Sequence, residues 1–361
     1  MANMDDVRPI IAKFDVHSES LALLSSDGRL KIWDAVTGQL KQQLTEPNHL
    51  VQRYTSMAWG PARKSSGKKG KKAKLSSPDL VALGTESGVT VVWDLLKSEV
   101  RLKLGEDSAD GHTDRVEDVV FSHDGSSLYS CGADKKVIEW NMSSGSATGE
   151  ISVGKTAPAK IALNPEGTLL AVGGLRIKLL DTASKKSART LDGHAFPVSC
   201  MAFSSSGSFL VSACRDRYIS LWATGPGSEG KTAVAALSMQ GSPIFMTLHE
   251  SAEDQECEDL MALDDSGKVN IWRLPESDVA STGGSRKAAV SQAKRLQSIT
   301  PCVVSAPAGD SIVACTLAAS GPAIVAHGSE LKPTLQLVRT PLYPPPLACL
   351  SSSTNARTIP G

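Results

Sequence analysis

Two sets of side chains have the composition of a hydrolytic catalytic triad. One set is His112, Ser130 and Asp134, and the other is His194, Ser212 and Asp216. A hydroxyl, an imidazole and a carboxylate in series can activate a serine as a nucleophile. The sequence, however, has no Gly-x-Ser-x-Gly motif, no HExxH motif and no paired carboxylates that would form an acid–base cleft. It therefore offers no catalytic candidate beyond these two sets.

The spacing of each set favours a structural role. In both sets the Asp lies six residues before a tryptophan, which is Trp140 in one case and Trp222 in the other. This order predicts a buried polar relay in which the carboxylate orients the His, the His bonds to the serine hydroxyl, and the hydroxyl accepts the indole N–H. Such a relay pairs groups that would otherwise be costly to bury. We expect all eight residues to be structural, with no catalytic, cofactor-binding or metal-ligating residue in the chain.

A third pattern resembles a phosphate-binding loop. The segment from Gly225 to Thr232 satisfies G-x-x-x-x-G-K-[ST]. A functional loop of this kind follows a buried strand and opens a helix, whose N-terminus helps to bind phosphate. Here the segment falls between two strand-like runs, and Pro226 with its Gly and Ser neighbours is typical of a surface turn. We predict no nucleotide cofactor. The alternative is an NTPase that uses Lys231, in which a Lys231→Ala substitution would abolish nucleotide binding.

A basic run offers a different chemistry, that of phosphate contacts. Three interpretations stay open for it: a solvated surface loop, a nuclear or nucleolar targeting signal, and a contact with RNA phosphates. Without interleaved aromatic residues, an RNA contact here would depend on charge and show little base preference. The residues are Arg63, Lys64, Lys68, Lys69, Lys71, Lys72 and Lys74.

The elements that must position these residues repeat along the chain. A short apolar run ends in tryptophan at Trp33, Trp93, Trp140, Trp222 and Trp272, and Leu180 takes the same place once. With Leu180 included, the intervals are 60, 47, 40, 42 and 50 residues. A period near 40 residues with four strand signals per unit is typical of WD repeats. The pattern predicts an all-β fold, a seven-bladed WD-repeat β-propeller.

The second strand of each unit is a nearly continuous apolar run, as expected for a sheet that is covered on both faces. A seventh unit has strand composition but lacks the tryptophan, and residues 9–14 would form the first strand of blade one beside it. We predict a single propeller over residues 1–340. The apolar runs are 20–24, 80–84, 127–131, 169–173, 209–213 and 260–263, and the runs of the seventh unit are 300–305, 311–316, 323–326 and 334–338.

Three segments interrupt the repeat and are predicted to be mobile surface loops. They are a basic insertion at 61–78, an acidic loop at 249–259 and a flexible loop at 276–295. Residues 341–361 are rich in Pro and Ser and are expected to form a tail or linker without regular structure.

Composition limits the classes of partner. Lys plus Arg equals Asp plus Glu at 38 each, so no overall field draws the protein to nucleic acid or to a membrane. The seven cysteines form no CxxC pair and no zinc spacing, which favours free thiols in a reducing compartment. No apolar run is long enough to span a membrane, and residues 1–9 lack the apolar core of a signal peptide. We expect a soluble, intracellular protein.

The order of these features resembles one family. The chain resembles nucleolar WD-repeat protein forty-three and its counterpart, the fifth UTP protein. The resemblance rests on a first unit that starts near residue 5, a Lys-rich insertion in blade two, residues 111–116 (GHTDRV) and residues 191–198 (LDGHAFPV). The resemblance covers roughly residues 5–340. That family carries a C-terminal helical domain that joins its sister subunits, and this chain stops after Gly361 without one, so the resemblance is to the propeller portion.

The resemblance implies a function without catalysis. Members of that family belong to the UtpA (t-UTP) subcomplex, which helps to assemble the small-subunit processome on pre-ribosomal RNA. We therefore expect a non-enzymatic scaffold of the nucleus and nucleolus that acts in pre-rRNA transcription, processing and small-subunit assembly. Its expected partners are other UtpA-like WD-repeat subunits and, through the basic loops, pre-rRNA, with no membrane and no small-molecule substrate. The alternative is a generic WD-repeat adaptor that recognises a peptide or protein, for example a ubiquitin-ligase substrate receptor, which would expose aromatic and Arg residues around its narrow face. The loops show little of either in the sequence.

Overall fold

The computed structural model describes the chain in separate ranges. Residues 11–25, 27–35, 37–62, 78–106, 110–225, 230–250, 257–266 and 268–275 are described. For residues 250 and 275, and for the strands at 294–299, 312–317, 322–329, 332–339 and 357–359, only the backbone is described.

Within these ranges, 28 strands form seven four-stranded antiparallel sheets, each built from strands that are consecutive in the chain. Sheet one contains β1 (Ile11–Phe14), β2 (Ser20–Leu24), β3 (Leu30–Asp34) and β4 (Leu40–Leu44); sheet two β5 (Tyr54–Trp59), β6 (Leu80–Thr85), β7 (Thr90–Asp94) and β8 (Glu99–Leu104); sheet three β9 (Val116–Phe121), β10 (Ser127–Gly132), β11 (Lys136–Asn141) and β12 (Ala147–Ser152); sheet four β13 (Lys160–Leu163), β14 (Leu169–Gly173), β15 (Ile177–Asp181) and β16 (Ser187–Leu191). Sheet five contains β17 (Val198–Phe203), β18 (Phe209–Cys214), β19 (Tyr218–Ala223) and β20 (Ala235–Ser238); sheet six β21 (Pro243–Glu250), β22 (Cys257–Asp264), β23 (Val269–Pro275) and β24 (Lys294–Ile299); sheet seven β25 (Ile312–Leu317), β26 (Pro322–Ser329), β27 (Lys332–Arg339) and β28 (Arg357–Ile359).

The first strands of neighbouring sheets contact one another in sequence. β1 contacts β5, and the contacts continue through β9, β13, β17 and β21. β25 contacts both β21 and β1. The prediction of an all-β propeller is confirmed. The described side chains cover six blades, because sheet seven is described only as backbone, and the predicted count of seven is not established by them.

The second strands are buried on both faces. Every residue of β2, β6 and β18 is buried, as the continuous apolar runs predicted. The fourth strands are different: in β12, exposed and half-buried residues alternate. The outermost strand of a blade therefore faces solvent on one side, and the inner strands lie between neighbouring blades.

Among the residues with described side chains, five apolar clusters lie between successive sheets and form the core. Trp93 packs with Leu24 and Ile32 between sheets one and two, and Trp140 packs with Val92 between sheets two and three. Further clusters join sheets three and four, four and five, and five and six. Each blade thus buries its apolar faces only against its neighbours.

The two ends of the predicted acidic loop 249–259 belong to strands rather than to a solvated loop, and residues 251–256 lie outside the described residues. β21 and β22 extend into it, with His249 opposite Asp259 in the ladder. Asp259 is 5% exposed, and Arg273 Nε donates to its Oδ1 at 2.9 Å. Glu258 is 2% exposed and accepts the backbone N–H of Ser205 in sheet five. The buried acids stabilise strands rather than face water, since each has a donor on a neighbouring strand or sheet.

The structure also differs from predictions made for the C-terminal part of the chain. Of the runs predicted for the seventh unit, 311–316 overlaps β25, the first strand of sheet seven, and residues 300–305 lie outside the described residues. Residues 341–361 were predicted to contain no regular element, but β28 pairs with β27 through residues 335–337. Likewise, Lys294 and Arg295 of the predicted flexible loop 276–295 belong to β24 and pair with β23; the rest of that loop lies outside the described residues.

Strand direction divides the turns between two faces of the ring. The turns between second and third strands and the loops that lead to the next sheet lie at one end of the strands, which we call the upper face. The other turns lie at the opposite end, the lower face. In the part of the chain that is described, no helix has the length and apolar character needed to cross a lipid bilayer.

Candidate functional site

The relay in sheet three connects an upper-face turn to a buried indole. His112, in the loop before β9, has Nδ1 3.0 Å from both carboxylate oxygens of Asp134. Its Nε2 lies 2.8 Å from Ser130 Oγ, and Trp140 Nε1 donates to the same hydroxyl at 2.8 Å. The structure brings all four residues together. The side chains of His112 and Asp134 are 0% and 3% exposed, so a substrate carbonyl cannot approach Ser130 Oγ.

Sheet five contains the same arrangement. His194 Nδ1 lies 3.1 Å from Asp216 Oδ2, and its Nε2 lies 2.7 Å from Ser212 Oγ. Trp222 Nε1 donates to Ser212 Oγ at 2.8 Å. The two rings also meet edge to face, with centroids 6.1 Å apart. One serine hydroxyl therefore satisfies both the imidazole and the indole in each sheet.

Close contacts explain the glycines around the relays. A Cβ on Gly193, directly before His194, would lie 2.8 Å from Trp222 Cη2. A Cβ on Gly132 would lie 2.5 Å from His112 Nδ1. In sheet five the position two residues before the Asp is Cys214, so only the sheet-three relay is built over a glycine at this point.

Burial sets the charge state of the relays. Burial lowers the pKa of His112 and outweighs the opposing effect of Asp134, which favours the neutral imidazole. Burial also acts to raise the pKa of Asp216, but hydrogen bonds from Cys214 and His194 outweigh it, so the net shift is downward and the carboxylate stays charged. A neutral, enclosed imidazole suits a structural hydrogen-bond chain.

Sheet five also holds a group of atoms with metal-ligating chemistry. Donor atoms of His194, Cys214 and Asp216 all lie within 4.8 Å of one another. Burial raises the pKa of Cys214 to about 11, which disfavours the thiolate that a metal requires. The imidazole nitrogen nearest to Asp216 is already in a hydrogen bond with it. The relay accounts for the arrangement without an ion.

Sheets one and two lack the relay. The indole nitrogens of Trp33 and Trp93 are buried without a hydrogen-bond partner among the described residues. Asp27 has the same six-residue spacing to Trp33, but it accepts hydrogen bonds from Ser25 Oγ and the Arg29 backbone rather than from a His. The Asp–Trp spacing alone therefore does not produce a relay.

The basic run falls outside the described residues. Residues 63–77, which include every basic residue of the run, belong to the connection between β5 and β6. A connection between a first and a second strand starts and ends at the lower face. The three interpretations of this run stay predictions.

The segment that matches a phosphate-binding loop connects two strands. Residues 226–229 lie outside the described part, and the segment runs from the end of β19 towards β20. It therefore leads into a strand, whereas a nucleotide-binding loop leads into a helix. The backbone oxygen of Lys231 accepts a hydrogen bond from the Asp192 N–H. Lys231 and Arg189 line an open cavity of about 610 Å³, in which Arg189 already donates to the Ala223 carbonyl.

Sequence reasoning missed one surface. It expected few exposed aromatic and Arg residues in the loops, but Phe196 and Tyr218 are each 50% exposed. Both lie on the upper face of sheet five, together with exposed Arg215 and Arg217. Their position in the sequence could have revealed this exposure. Arg215, Arg217 and Tyr218 surround the relay residue Asp216 at the turn between the second and third strands of sheet five, where side chains face solvent.

A scan against known families matches the WD domain, G-beta repeat, at residues 106–141 and 185–223. Each range contains one complete relay, from the loop before the His to the buried tryptophan. These two ranges are WD repeats. The matched ranges are the sheet-three and sheet-five regions, where the His, Ser, Asp and Trp positions are all occupied.

Comparison with curated proteins gives longer matches. The chain is 28% identical over 282 residues to WD repeat-containing protein 43 of Homo sapiens, which covers 72% of this chain and 41% of that protein. It is 34% identical over 122 residues to WD repeat and SOCS box-containing protein 1 of Takifugu rubripes, covering 34% and 24%. It is 25% identical over 153 residues to Target of rapamycin complex subunit wat1 of Schizosaccharomyces pombe, covering 42% and 46%.

The first of these matches confirms the resemblance to the family of WD-repeat protein forty-three. The chain nevertheless spans less than half of the length of each of these three relatives. The family resemblance therefore applies to the propeller, and the activities of the longer proteins do not transfer with it.

Proposed function

We propose that this WD-repeat protein is a non-catalytic scaffold subunit of a nucleolar pre-ribosomal complex. The observation that carries the proposal is the similarity to WD repeat-containing protein 43, which extends over 72% of the chain. The burial of both triad-like sets supports a role without turnover, since Ser130 and Ser212 are each 0% exposed. Binding energy would come from partner surfaces buried on the ring.

The proposed partners are other WD-repeat subunits of a UtpA-like assembly and pre-ribosomal RNA. The basic run between β5 and β6 would provide a salt-sensitive contact with RNA phosphates. Pre-rRNA transcription and processing and small-subunit assembly are the proposed processes, and the nucleolus is the proposed location.

Crosslinking and affinity purification from nuclear extract test this function. We expect the tagged protein to recover pre-rRNA together with WD-repeat subunits of the small-subunit processome. A variant in which Lys68, Lys69, Lys71 and Lys72 are replaced by Ala should recover less RNA or leave the nucleolus. Purification of cullin components without pre-rRNA would reject the proposal in favour of a ubiquitin-ligase receptor.

A second candidate function is a generic adaptor that binds a peptide on the narrow face. The exposed Phe196, Tyr218, Arg215 and Arg217 favour it, because they are the residue types that such a surface uses. The two functions are compatible if the peptide belongs to a pre-ribosomal subunit. The composition of the purified complex distinguishes them.

We also propose that sheet seven is a seventh blade that closes the ring. The contacts of β25 with β21 on one side and with β1 on the other support this closure. Removal of residues 307–361 should then expose the apolar faces of sheets one and six and lower the melting temperature of the whole domain. A truncated chain that melts like the full one would mean that six blades form the stable unit.

A further inference from the structure

The upper face of sheets four to six carries an exposed apolar surface. Leu175 is 46% exposed, Phe196 50%, Tyr218 50% and Ile244 38%. Leu175 lies in the turn between the second and third strands of sheet four, and Phe196 lies in the loop between sheets four and five. Tyr218 begins β19, and Ile244 is the second residue of β21. Phe196 and Tyr218 are also the aromatic members of the exposed large apolar residues in the described part of the chain.

Hydrogen bonds hold the elements that carry these side chains next to one another. The N–H of Val198, just after the Phe196 loop, donates to Gly174 O beside Leu175 at 3.0 Å. On the other side, Ser199 Oγ donates to Pro243 O and Cys200 Sγ to Ile244 O. The start of β17 therefore connects the turn of sheet four to the start of sheet six. These contacts fix the apolar side chains on rigid elements.

The same surface carries two cations without a charged partner. Arg176 forms an ion pair with Asp192 at 3.0 Å, but no hydrogen bond or ion pair of the Arg215 or Arg217 side chain occurs among the described residues. The carboxylate between them, Asp216, bonds to His194 instead. Two guanidinium groups can thus donate hydrogen bonds to an external carboxylate in bidentate geometry.

We propose that this surface, which we call the arginine–aromatic patch, binds an extended acidic peptide segment that carries an aliphatic or aromatic anchor. The patch consists of Leu175, Phe196, Arg215, Arg217, Tyr218 and Ile244. The apolar members accept the anchor, and the two Arg side chains bind Asp or Glu residues beside it. This inference deepens the proposed scaffold function, on which it rests, by naming the class of partner.

Charge favours a peptide over RNA as the occupant. The Asp192 carboxylate on one side is 52% exposed, and Asp265 on the other side is also exposed. Asp192 is already paired with Arg176, but the exposed Asp265 carboxylate would repel a continuous phosphate backbone that crosses the patch. A short acidic peptide can place its carboxylates on the two free Arg side chains and its apolar residue between them.

Fluorescence anisotropy with the full chain tests the proposal. The probe is a fluorescein-labelled peptide rich in Asp and Glu around a central Leu-Phe pair, and the comparison probes are the same peptide with Ser in place of Leu-Phe and a labelled oligouridine. We expect saturable binding of the first peptide, and binding at least about tenfold weaker when Ser replaces the anchor. An Arg215→Glu, Arg217→Glu double variant should lose about tenfold or more, and Phe196→Ser should lose severalfold.

Lys135→Glu is a matched control. Lys135 occupies the turn of sheet three at the position of Arg217, with φ of 68° against 66°, and it is exposed on the same face outside the patch. This variant should bind the acidic peptide as the parent does, and equal melting temperatures would show that all variants fold.

Three outcomes would overturn the inference: no saturable binding at about millimolar protein, equal loss in the Lys135 variant, or oligouridine binding that depends on Arg215 and Arg217. The nuclear-extract purification separates this result from the proposed function. If the chain recovers pre-rRNA but binds no acidic peptide, the proposed function stands and the proposal for the arginine–aromatic patch fails. If it binds the peptide but recovers no pre-rRNA, the patch proposal stands and the proposed function fails.

Discussion

Sheets two and three are neighbours with the same four-strand plan, but they bury their tryptophans differently. In sheet three the Trp140 indole donates to Ser130 and the relay continues to Asp134. In sheet two, Val81 pairs with Trp93 across the strands, and Leu83, two residues further on, occupies the position that Ser130 has in sheet three. The Trp93 indole nitrogen is buried without a hydrogen-bond partner in the described structure. The blade can therefore form without the relay, and the relay adds local stability to a fold that apolar packing already specifies.

The largest expected effect comes from removing the shared hydroxyl. Ser130→Ala leaves the Trp140 N–H and the His112 nitrogen unpaired in the core, so we expect the free energy of unfolding to fall by about 3 kcal/mol. Ser56→Ala in sheet two is the control, because the Ser56 hydroxyl is buried without a partner and its loss should be neutral or stabilising. Urea unfolding curves measure both. Equal destabilisation by the two changes would remove the distinction between the sheets.

Acid should weaken the sheets that bury a histidine. Burial lowers the pKa of His249 in sheet six to about 4, from an ordinary value of 6.5, and burial also lowers the pKa of His112. The unfolded chain then binds protons more tightly than the folded one, so stability is fully present above about pH 6.5 and is lost as the pH falls towards 4. We expect a loss of about 2 kcal/mol from His249 in this window. Thermal melts of the parent and His249→Gln check this, and parallel pH profiles would contradict it.

The glycine under the sheet-three relay provides a further test of the relay. Gly132→Ala places a methyl group against His112 and Asp134, and we expect a loss of about 1–3 kcal/mol. Gly230→Ala is the control, because no atom lies within 4 Å of the added Cβ. Chemical denaturation of both variants gives the difference. If Gly132→Ala unfolds like the control, the relay can move aside at little cost.

The smallest effect is expected at the basic run. Replacing Lys68, Lys69, Lys71 and Lys72 by Ala should change the free energy of unfolding by no more than about 0.5 kcal/mol, as for surface substitutions away from the core. Differential scanning calorimetry of this variant beside the parent measures the change. A drop in melting temperature of several degrees would mean that the run packs against the ring.

The sequence predicted those features that depend on local pattern. The tryptophan spacing predicted the positions of the third strands, and the apolar runs predicted those of the second strands. A strand that is buried on two faces is apolar at nearly every position, so a few residues are enough to recognise it. The relays followed from the Asp–Trp spacing and the Gly-His pair, which a tight turn keeps in fixed relation.

The errors arose where a distant partner decides the structure. Glu258 and Asp259 look like a solvated charge run, and only Arg273 and the Ser205 backbone show why they are buried. β28 lies in a segment of low strand propensity, and it forms because β27 offers an unpaired edge. Exposure of Phe196 and Tyr218 depends on loop path, which residue type alone does not determine.

Each described sheet is built from consecutive strands, so β1 and β25 contact each other from different sheets, and no sheet among the described residues combines strands from both chain ends. In a ring closed by sheet seven, as proposed above, the two ends would be joined by packing between sheets and not by a shared hydrogen-bonded ladder. Pulling on the termini should part the ring at this junction first. A binding partner that bridges sheets seven and one would hold this junction together and raise the force needed to unfold the propeller.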